Sequence, residues 1–192
     1  EVVGRVVFDH VVSTMPQYHW HITEGPQSQE ILIGARRTLT TLFTQKVEFK
    51  AGQAALRPGA LLTVTVDEKH YPLLFLHLKS LPTPKGHGLR DDMLQRAIDF
   101  RKVLNKVQDG PANFIFLGDL NTMGMNLTYS NKDLSGEEEI ERLKKRLGVK
   151  SVQMRLLDKS YSNTYWPGST SSIKPSPLDH VVAANHLRFR QF

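Results

Sequence analysis

Apolar runs separated by charged and turn-forming segments predict a chain in which strands and helices alternate. Residues 60–66 and 71–78 are apolar and are joined by a short polar turn, which predicts a β-hairpin. Residues 89–107 carry apolar side chains at helical spacing with charges on the opposite face, and predict a helix. The run 114–117 predicts a strand buried on both faces. This order of strand, helix and strand is typical of an α/β domain.

Shorter elements are predicted on both sides of this segment. They are a helix over 2–12, strands over 18–22 and 30–34, apolar runs at 39–43 and 47–49, an amphipathic helix over 135–147 and a last strand over 178–184, with loops at 82–88 and 160–177. Ser135 and Glu138 have the spacing of a capping box. His19 and His21 share a strand face and form a candidate metal pair, but exposed histidines on an edge strand are the favoured interpretation.

Composition places the chain among ordinary globular domains. Its 192 residues, 40% hydrophobic and 23% charged, suit one domain over residues 1–192, and neither a repeat nor a linker is visible. No apolar run has the length of a membrane span. The absence of cysteine excludes disulfides and thiolate metal sites and favours a cytoplasmic location, although the first residue is Glu and the native N-terminus is not in hand. A net charge of +6 favours anionic substrates or polyanionic partners such as nucleic acid.

The segment 114–122 ends a buried strand with polar chemistry. Gly118 stops the apolar run, and Asp119 and Asn121 follow two residues apart, on the same side if the backbone stays extended. Open α/β sheets bind ligands at this carboxyl edge. A carboxylate can hold a metal ion or a nucleophilic water, and an amide can donate to a phosphate oxygen. Both residue types also cap turns, so this segment alone leaves a site and a turn as alternatives.

Three polar motifs in a fixed order carry more information than any one of them. They are His-Leu-Lys at 77–79, Gly-Asp-Leu-Asn at 118–121 and Leu-Asp-His-Val-Val at 178–182. This order resembles the endonuclease/exonuclease/phosphatase superfamily of DNase I-like metal-dependent phosphoesterases, over essentially the whole chain. The resemblance implies a four-layer α/β sandwich, in which two mixed β-sheets pack face to face between helices. It also implies hydrolysis of phosphate esters with Mg²⁺ or Mn²⁺.

The resemblance assigns roles to four residues. Asp119 would position or deprotonate the attacking water, and Asn121 would orient the phosphate and Asp119. His77 would contact the scissile phosphate. Asp179 would orient a catalytic histidine supplied later in the chain, which is the carboxylate–imidazole arrangement of a triad. His180 would point to the opposite face of an extended strand and is not assigned a role.

The two ends of the sequence depart from the family pattern. Glu1 is the candidate metal ligand, separated from its own strand, whereas Glu30 belongs to the next hairpin. The family's final Ser-Asp-His motif has no counterpart before Phe192. The resemblance therefore implies an interior piece of a longer enzyme that lacks terminal strands. We expect such a piece to self-associate through exposed sheet edges and to have little activity alone.

The substrate stays open at this point. The basic charge favours a nuclease, but a lipid or inositol phosphate phosphatase would use the same residues. The loops at 80–90 and 122–135 contain neither an aromatic-basic stacking platform nor a long apolar segment for docking on lipid. The non-enzymatic alternative is an inactive phosphoesterase-like fold that binds anions or nucleic acid.

Overall fold

The computed structural model of the chain describes residues 4–190, except residues 26–28, 51, 55, 131 and 173. Its elements in chain order are α1 (Gly4–Thr14), β1 (Tyr18–Ile22), β2 (Leu32–Arg36), β3 (Thr40–Lys46), a 3₁₀ turn (Val47–Lys50), β4 (Gly59–Val66), β5 (Lys69–His77), α2 (Pro84–Val107), β6 (Ile115–Asp119), α3 (Gly136–Leu147), β7 (Met154–Leu156) and β8 (Asp179–Ala184).

Most strands lie in one six-stranded mixed sheet with the order β3-β4-β5-β6-β8-β7. Strands β5 and β6 are parallel, and their crossover connection contains α2, whereas the other neighbours are antiparallel. Strands β1 and β2 form a separate antiparallel pair. The predicted hairpin over β4 and β5 and the succession of β5, α2 and β6 are present as the sequence indicated.

Apolar side chains cover both faces of the six-stranded sheet. The larger cluster joins the sheet to the two long helices, and its buried members include Leu74, Phe116 and Val182 from strands, Leu94 and Ile98 from α2, and Leu143 from α3. On the other face, β2 packs on β4 through Ile33, Ala35, Ala60 and Leu62. Helix α1 contacts β1. The chain therefore forms two sheets packed face to face with helices on the flanks.

Helix α2 begins earlier than predicted. Pro84 occupies its first turn, and the side chain of Thr83 caps it by accepting a hydrogen bond from Gly86 N at 3.1 Å. The predicted loop over 82–88 is therefore wrong after its first two residues. The sequence does not reveal this start, because Pro84, Gly86 and Gly88 are poor helix formers and apolar periodicity begins only at Leu89. The apolar run at 47–49 lies in the 3₁₀ turn and is not a strand.

The capping box at the start of α3 is confirmed. Ser135 Oγ accepts from Glu138 N at 3.1 Å, and Glu138 Oε2 accepts from Ser135 N at 2.8 Å. No helix in the described part of the chain is both long and apolar enough to cross a membrane.

Candidate active site

Three polar residues form a row across neighbouring strands at one edge of the six-stranded sheet. His77, the last residue of β5, pairs in register with Asp119, the last residue of β6. Asp119 in turn pairs with Asp179, the first residue of β8. Residues in register on adjacent strands project to the same face of a sheet. The structure therefore brings three of the four predicted catalytic residues together on one face.

His77 and Asp119 are close but not directly hydrogen-bonded. His77 Nε2 lies 3.6 Å from Asp119 Oδ2, beyond the usual range of a hydrogen bond. Burial lowers the pKa of His77 to about 4, and the positive charge of Arg57 acts in the same direction. The imidazole is therefore neutral at pH 7 and stands beside a carboxylate that is partly open to solvent.

Asn121 does not continue the strand. Its φ is +50°, a left-handed conformation that asparagine tolerates, so the chain turns directly after Asp119. The expectation of an extended backbone from Asp119 to Asn121 is wrong for this reason. Asn121 N donates to Asp119 Oδ1 at 2.9 Å, and Asn121 Nδ2 donates to Leu78 O at 3.0 Å. Asn121 thus orients Asp119 through its backbone and ties the ends of β5 and β6 together through its side chain.

Gly118 allows the two parallel strands to approach closely at the site. Its φ is +130°, and a Cβ at this position would meet Leu76 O at 2.1 Å. Just beyond, Leu78 N donates to Asp119 O at 2.9 Å. Glycine is therefore required at this position for the geometry that places His77 next to Asp119.

Asp179 and His180 lie on opposite faces of β8, as the sequence predicted. Asp179 is exposed, and its backbone N donates to Thr164 Oγ1 at 2.9 Å. His180 is buried, with Nε2 at 2.8 Å from both Thr122 Oγ1 and Pro177 O. Burial lowers its pKa to about 4, and Lys159 contributes. His180 is therefore a packed, neutral residue on the face away from the row.

A cleft of about 740 Å³ opens from Asp119 and Asn121. Its walls come from the loops after β5 and β6, the start of α3 and the segment before β8; they include Leu81, Pro82, Met123, Asn126, Gly136, Glu137, Tyr165, Lys174 and Pro177. Tyr165 and Lys174 form an aromatic-basic wall, with the exposed Trp166 next in the chain. Residues 160–177 were predicted only as a loop. The signal missed there is the Tyr165–Trp166 pair between two lysines.

The structure gives little information on the candidate metal ligands. Glu1 lies outside the described residues. Glu30 accepts from Gly4 N at 2.9 Å and lies two residues before the hairpin strand β2, so it belongs to this hairpin as predicted. The exposed-edge interpretation fits His19 but not His21, which is half-buried and stacks on Phe43 at 4.9 Å. The described ranges contain no group of three or more His, Cys, Asp or Glu side chains that could hold a metal.

Comparisons with known proteins agree with this architecture. The model of the Endonuclease/Exonuclease/phosphatase family matches residues 8–192. A truncated TDP2 from Caenorhabditis elegans is 18% identical with a TM-score of 0.65, over 97% of this chain and 69% of that one. Danio rerio TDP2, complexed with single strand DNA product, is 13% identical with a TM-score of 0.57, over 95% and 68%. SmcL is 13% identical with a TM-score of 0.55, over 95% and 66%.

These likenesses confirm the predicted DNase I-like α/β sandwich. The chain spans about two thirds of those three chains, and 52% of another Caenorhabditis elegans TDP2 chain. The comparison with curated proteins gave no match.

Proposed function

Because the chain belongs to the endonuclease/exonuclease/phosphatase family, we propose that it supplies the catalytic face of a divalent-metal-dependent phosphodiesterase that acts on nucleic acid. One observation carries the proposal. His77, Asp119 and Asp179 stand in register on three adjacent strands at one side of the sheet, and Asp119 lines a cleft large enough for a nucleotide-sized group.

Each residue of the row has a role that its surroundings support. Asn121 N fixes the Asp119 carboxylate, so Asp119 is oriented to hold and deprotonate a water for in-line attack on phosphorus. The neutral His77 donates a hydrogen bond to a phosphate oxygen. Asp179, one strand further, orients a catalytic histidine, as the family resemblance implies.

We propose Mg²⁺ or Mn²⁺ as the ion, because the Asp119 carboxylate is an oxygen donor. These ions prefer oxygen ligands, and Mg²⁺ in particular keeps several waters and needs only one or two carboxylates. Asp119 provides one carboxylate at the cleft floor, and Glu1 is proposed as the other. When bound, the ion would neutralise phosphate charge and stabilise the leaving oxygen.

The wall of the cleft supports nucleic acid as the substrate. Bases stack on exposed aromatic rings while lysines follow the nucleic-acid backbone, and Tyr165 and Lys174 offer both kinds of contact in the cleft. The exposed Trp166 follows Tyr165 in the chain. The net charge of +6 acts in the same direction. The Danio rerio TDP2 structure with a single strand DNA product has the same fold.

Hydrolysis of bis-p-nitrophenyl phosphate by the full chain, with Mg²⁺ or Mn²⁺, tests the proposal. Asp119→Asn should lower kcat/KM by about 10²–10⁴-fold, the size expected of a general base. The control is Asp109→Asn, beyond the C-terminal end of α2, where a φ of +49° suits asparagine. Equal activity in both variants would refute the role of Asp119. A wild-type chain that binds a single-stranded oligonucleotide, but hydrolyses neither the oligonucleotide nor bis-p-nitrophenyl phosphate, would instead support the binding-module alternative.

A further inference from the structure

Helix α2 buries two arginines on the face that packs against the sheet. Arg90 and Arg101 are both 0% exposed and lie about three helical turns apart, on the same side of the helix. Arg101 donates to the carbonyl oxygens of Ala112 and Val152, which precede β6 and β7 at the far end of the sheet. Arg90 lies at the end of the helix near the cleft. Two buried arginines of one helix therefore lie at opposite ends of the sheet.

Arg90 is surrounded by hydrogen-bond partners. It forms a bidentate ion pair with Glu139 of α3, with Nε–Oε1 and Nη2–Oε2 distances of 3.0 Å each. Its remaining N–H groups donate to Leu81 O at 2.8 Å, Lys79 O at 3.2 Å and Gly124 O at 2.7 Å. Glu139 Oε2 in turn accepts from Gly124 N at 2.7 Å. The cluster thus binds backbone groups and is not a simple ion pair.

The backbone groups that Arg90 and Glu139 bind belong to the two loops that carry the site. Lys79 and Leu81 lie two and four residues after His77, and Gly124 lies three residues after Asn121. The loops also contact each other, because Asn126 N donates to Pro82 O at 2.6 Å. Arg90, on a third element of the fold, is therefore hydrogen-bonded to both loops.

Stability alone is a poor explanation for this cluster. A buried ion pair loses hydration on folding, and apolar residues of similar size often replace such pairs with no loss of stability. What an apolar pair cannot do is fix several carbonyls of two separate loops in one geometry. The cluster is suited to setting the distance between loops that each deliver a polar residue to the same cleft.

We propose that Arg90 and Glu139 are a positioning pair, which holds the loop after β5 and the loop after β6 so that His77 and Asp119 act on one phosphate. Neither side chain touches substrate. The inference rests on the proposed phosphodiesterase function, and it identifies which buried residues set the geometry of that site.

Arg90→Lys and Arg101→Lys in the full chain form a matched pair of variants. Both keep a positive charge and lose the planar fork, so both should lower the thermal unfolding midpoint. Well below either midpoint, Arg90→Lys should lower kcat on bis-p-nitrophenyl phosphate by about 10- to 100-fold, since loop displacements of this kind carry such costs. Its KM should change less than about threefold. Arg101→Lys should leave kcat within about twofold, because its partners are distant from the site.

Amide hydrogen exchange supplies a readout that does not depend on activity. The Gly124 and Asn126 amides, bound to Glu139 and Pro82, should exchange faster in Arg90→Lys than in Arg101→Lys. Glu139→Gln, which keeps the size of the side chain, is the second variant if Arg90→Lys does not fold.

The outcomes separate the two proposals. Equal loss of kcat in both arginine variants, or no loss in Arg90→Lys, would overturn the positioning role. If the wild-type chain hydrolyses nothing, the proposed function fails, and exchange decides the loop claim alone. Unchanged protection of Gly124 and Asn126 in Arg90→Lys would then refute it.

Discussion

His77 and His180 are buried near the same edge of the sheet, on opposite faces. Burial lowers the pKa of each to about 4, aided by Arg57 at His77 and by Lys159 at His180. Both imidazoles are neutral in the folded chain at pH 7. Protonation is easier in the unfolded chain than in the folded one, so these two residues link stability to pH.

The link predicts a direction for the pH dependence of stability. The unfolded chain binds protons at an ordinary histidine pKa of 6.5, so the free energy of unfolding is highest above pH 6.5 and falls as the pH decreases towards 4. His180→Gln removes one of the two groups and should reduce this fall by up to about 3 kcal/mol. Urea unfolding at pH 7.5 and pH 4.5 measures the change. An identical fall in wild type and variant would show that His180 does not contribute.

Residue placement was predictable where it depends on strand ends. Apolar runs reveal those ends, so the sequence alone leads to His77, Asp119 and Asp179 at one edge of the sheet. The left-handed turn at Asn121 could not be predicted, because it depends on a hydrogen bond to Leu78, which is distant in the chain. Arg90 was also missed, since a buried arginine on a helix has the same sequence pattern as a solvated one.

At the scale of elements, the start of α2 is fitted closely to the loop after β5. A Cβ on Gly86 would meet Leu81 O at 2.3 Å, and Leu81 O is also the acceptor for Arg90, one helical turn further on. A Cβ on Gly88, in the same helix, would meet nothing within 4 Å. Close packing against the loop therefore requires glycine at position 86 but not at position 88.

This difference predicts opposite effects of the same substitution. Gly88→Ala should raise the free energy of unfolding by about 1 kcal/mol, because alanine favours the helix. Gly86→Ala gains the same preference but displaces a backbone carbonyl, and should lower the free energy by about 1–3 kcal/mol. Thermal unfolding compares the two variants. A Gly86→Ala chain as stable as Gly88→Ala would mean that the loop moves away without cost.

The elements were predictable where their periodicity is strong. Strands β4, β5 and β6 and the capped helix α3 follow directly from apolar spacing and from Ser135 with Glu138. The first turn of α2 could not be predicted from apolar spacing, because its proline and glycines indicate a loop. It is helical because Thr83 caps it and because it packs against Leu81.

At the scale of the whole molecule, the two outer strands of the six-stranded sheet, β3 and β7, differ in length. Strand β7 is only 3 residues long, a length that limits pairing with another chain. Strand β3 is 7 residues long, and its Leu42 is 67% exposed. The predicted self-association through sheet edges is therefore expected at β3, where two copies can pair edge to edge.

Leu42→Lys tests this expectation, because a charge on an edge strand opposes pairing. The weight-average mass from light scattering should fall towards that of a monomer at high protein concentration. Val107→Lys is the control, since Val107 is 77% exposed at the end of α2 and distant from β3 in the chain. Equal masses in the two variants would exclude β3 as the contact.

The overall architecture could be recognised from the order of three short motifs, which implied the DNase I-like fold. Periodicity alone could not supply the strand order, because pairing of β6 with β8 joins segments that are remote in the sequence.

This strand order has a consequence for how the chain folds. Strand β8 lies between β6 and β7, so β7 has no sheet neighbour until the later β8 is in place. Asn121 and Leu78 are 43 positions apart, and Thr122 and His180 are 58 apart, so assembly of the cleft closes two long loops. Loop closure of this length is slow relative to helix formation. A chain still on the ribosome therefore completes the row of His77, Asp119 and Asp179 only after β8, which ends at residue 184, has emerged.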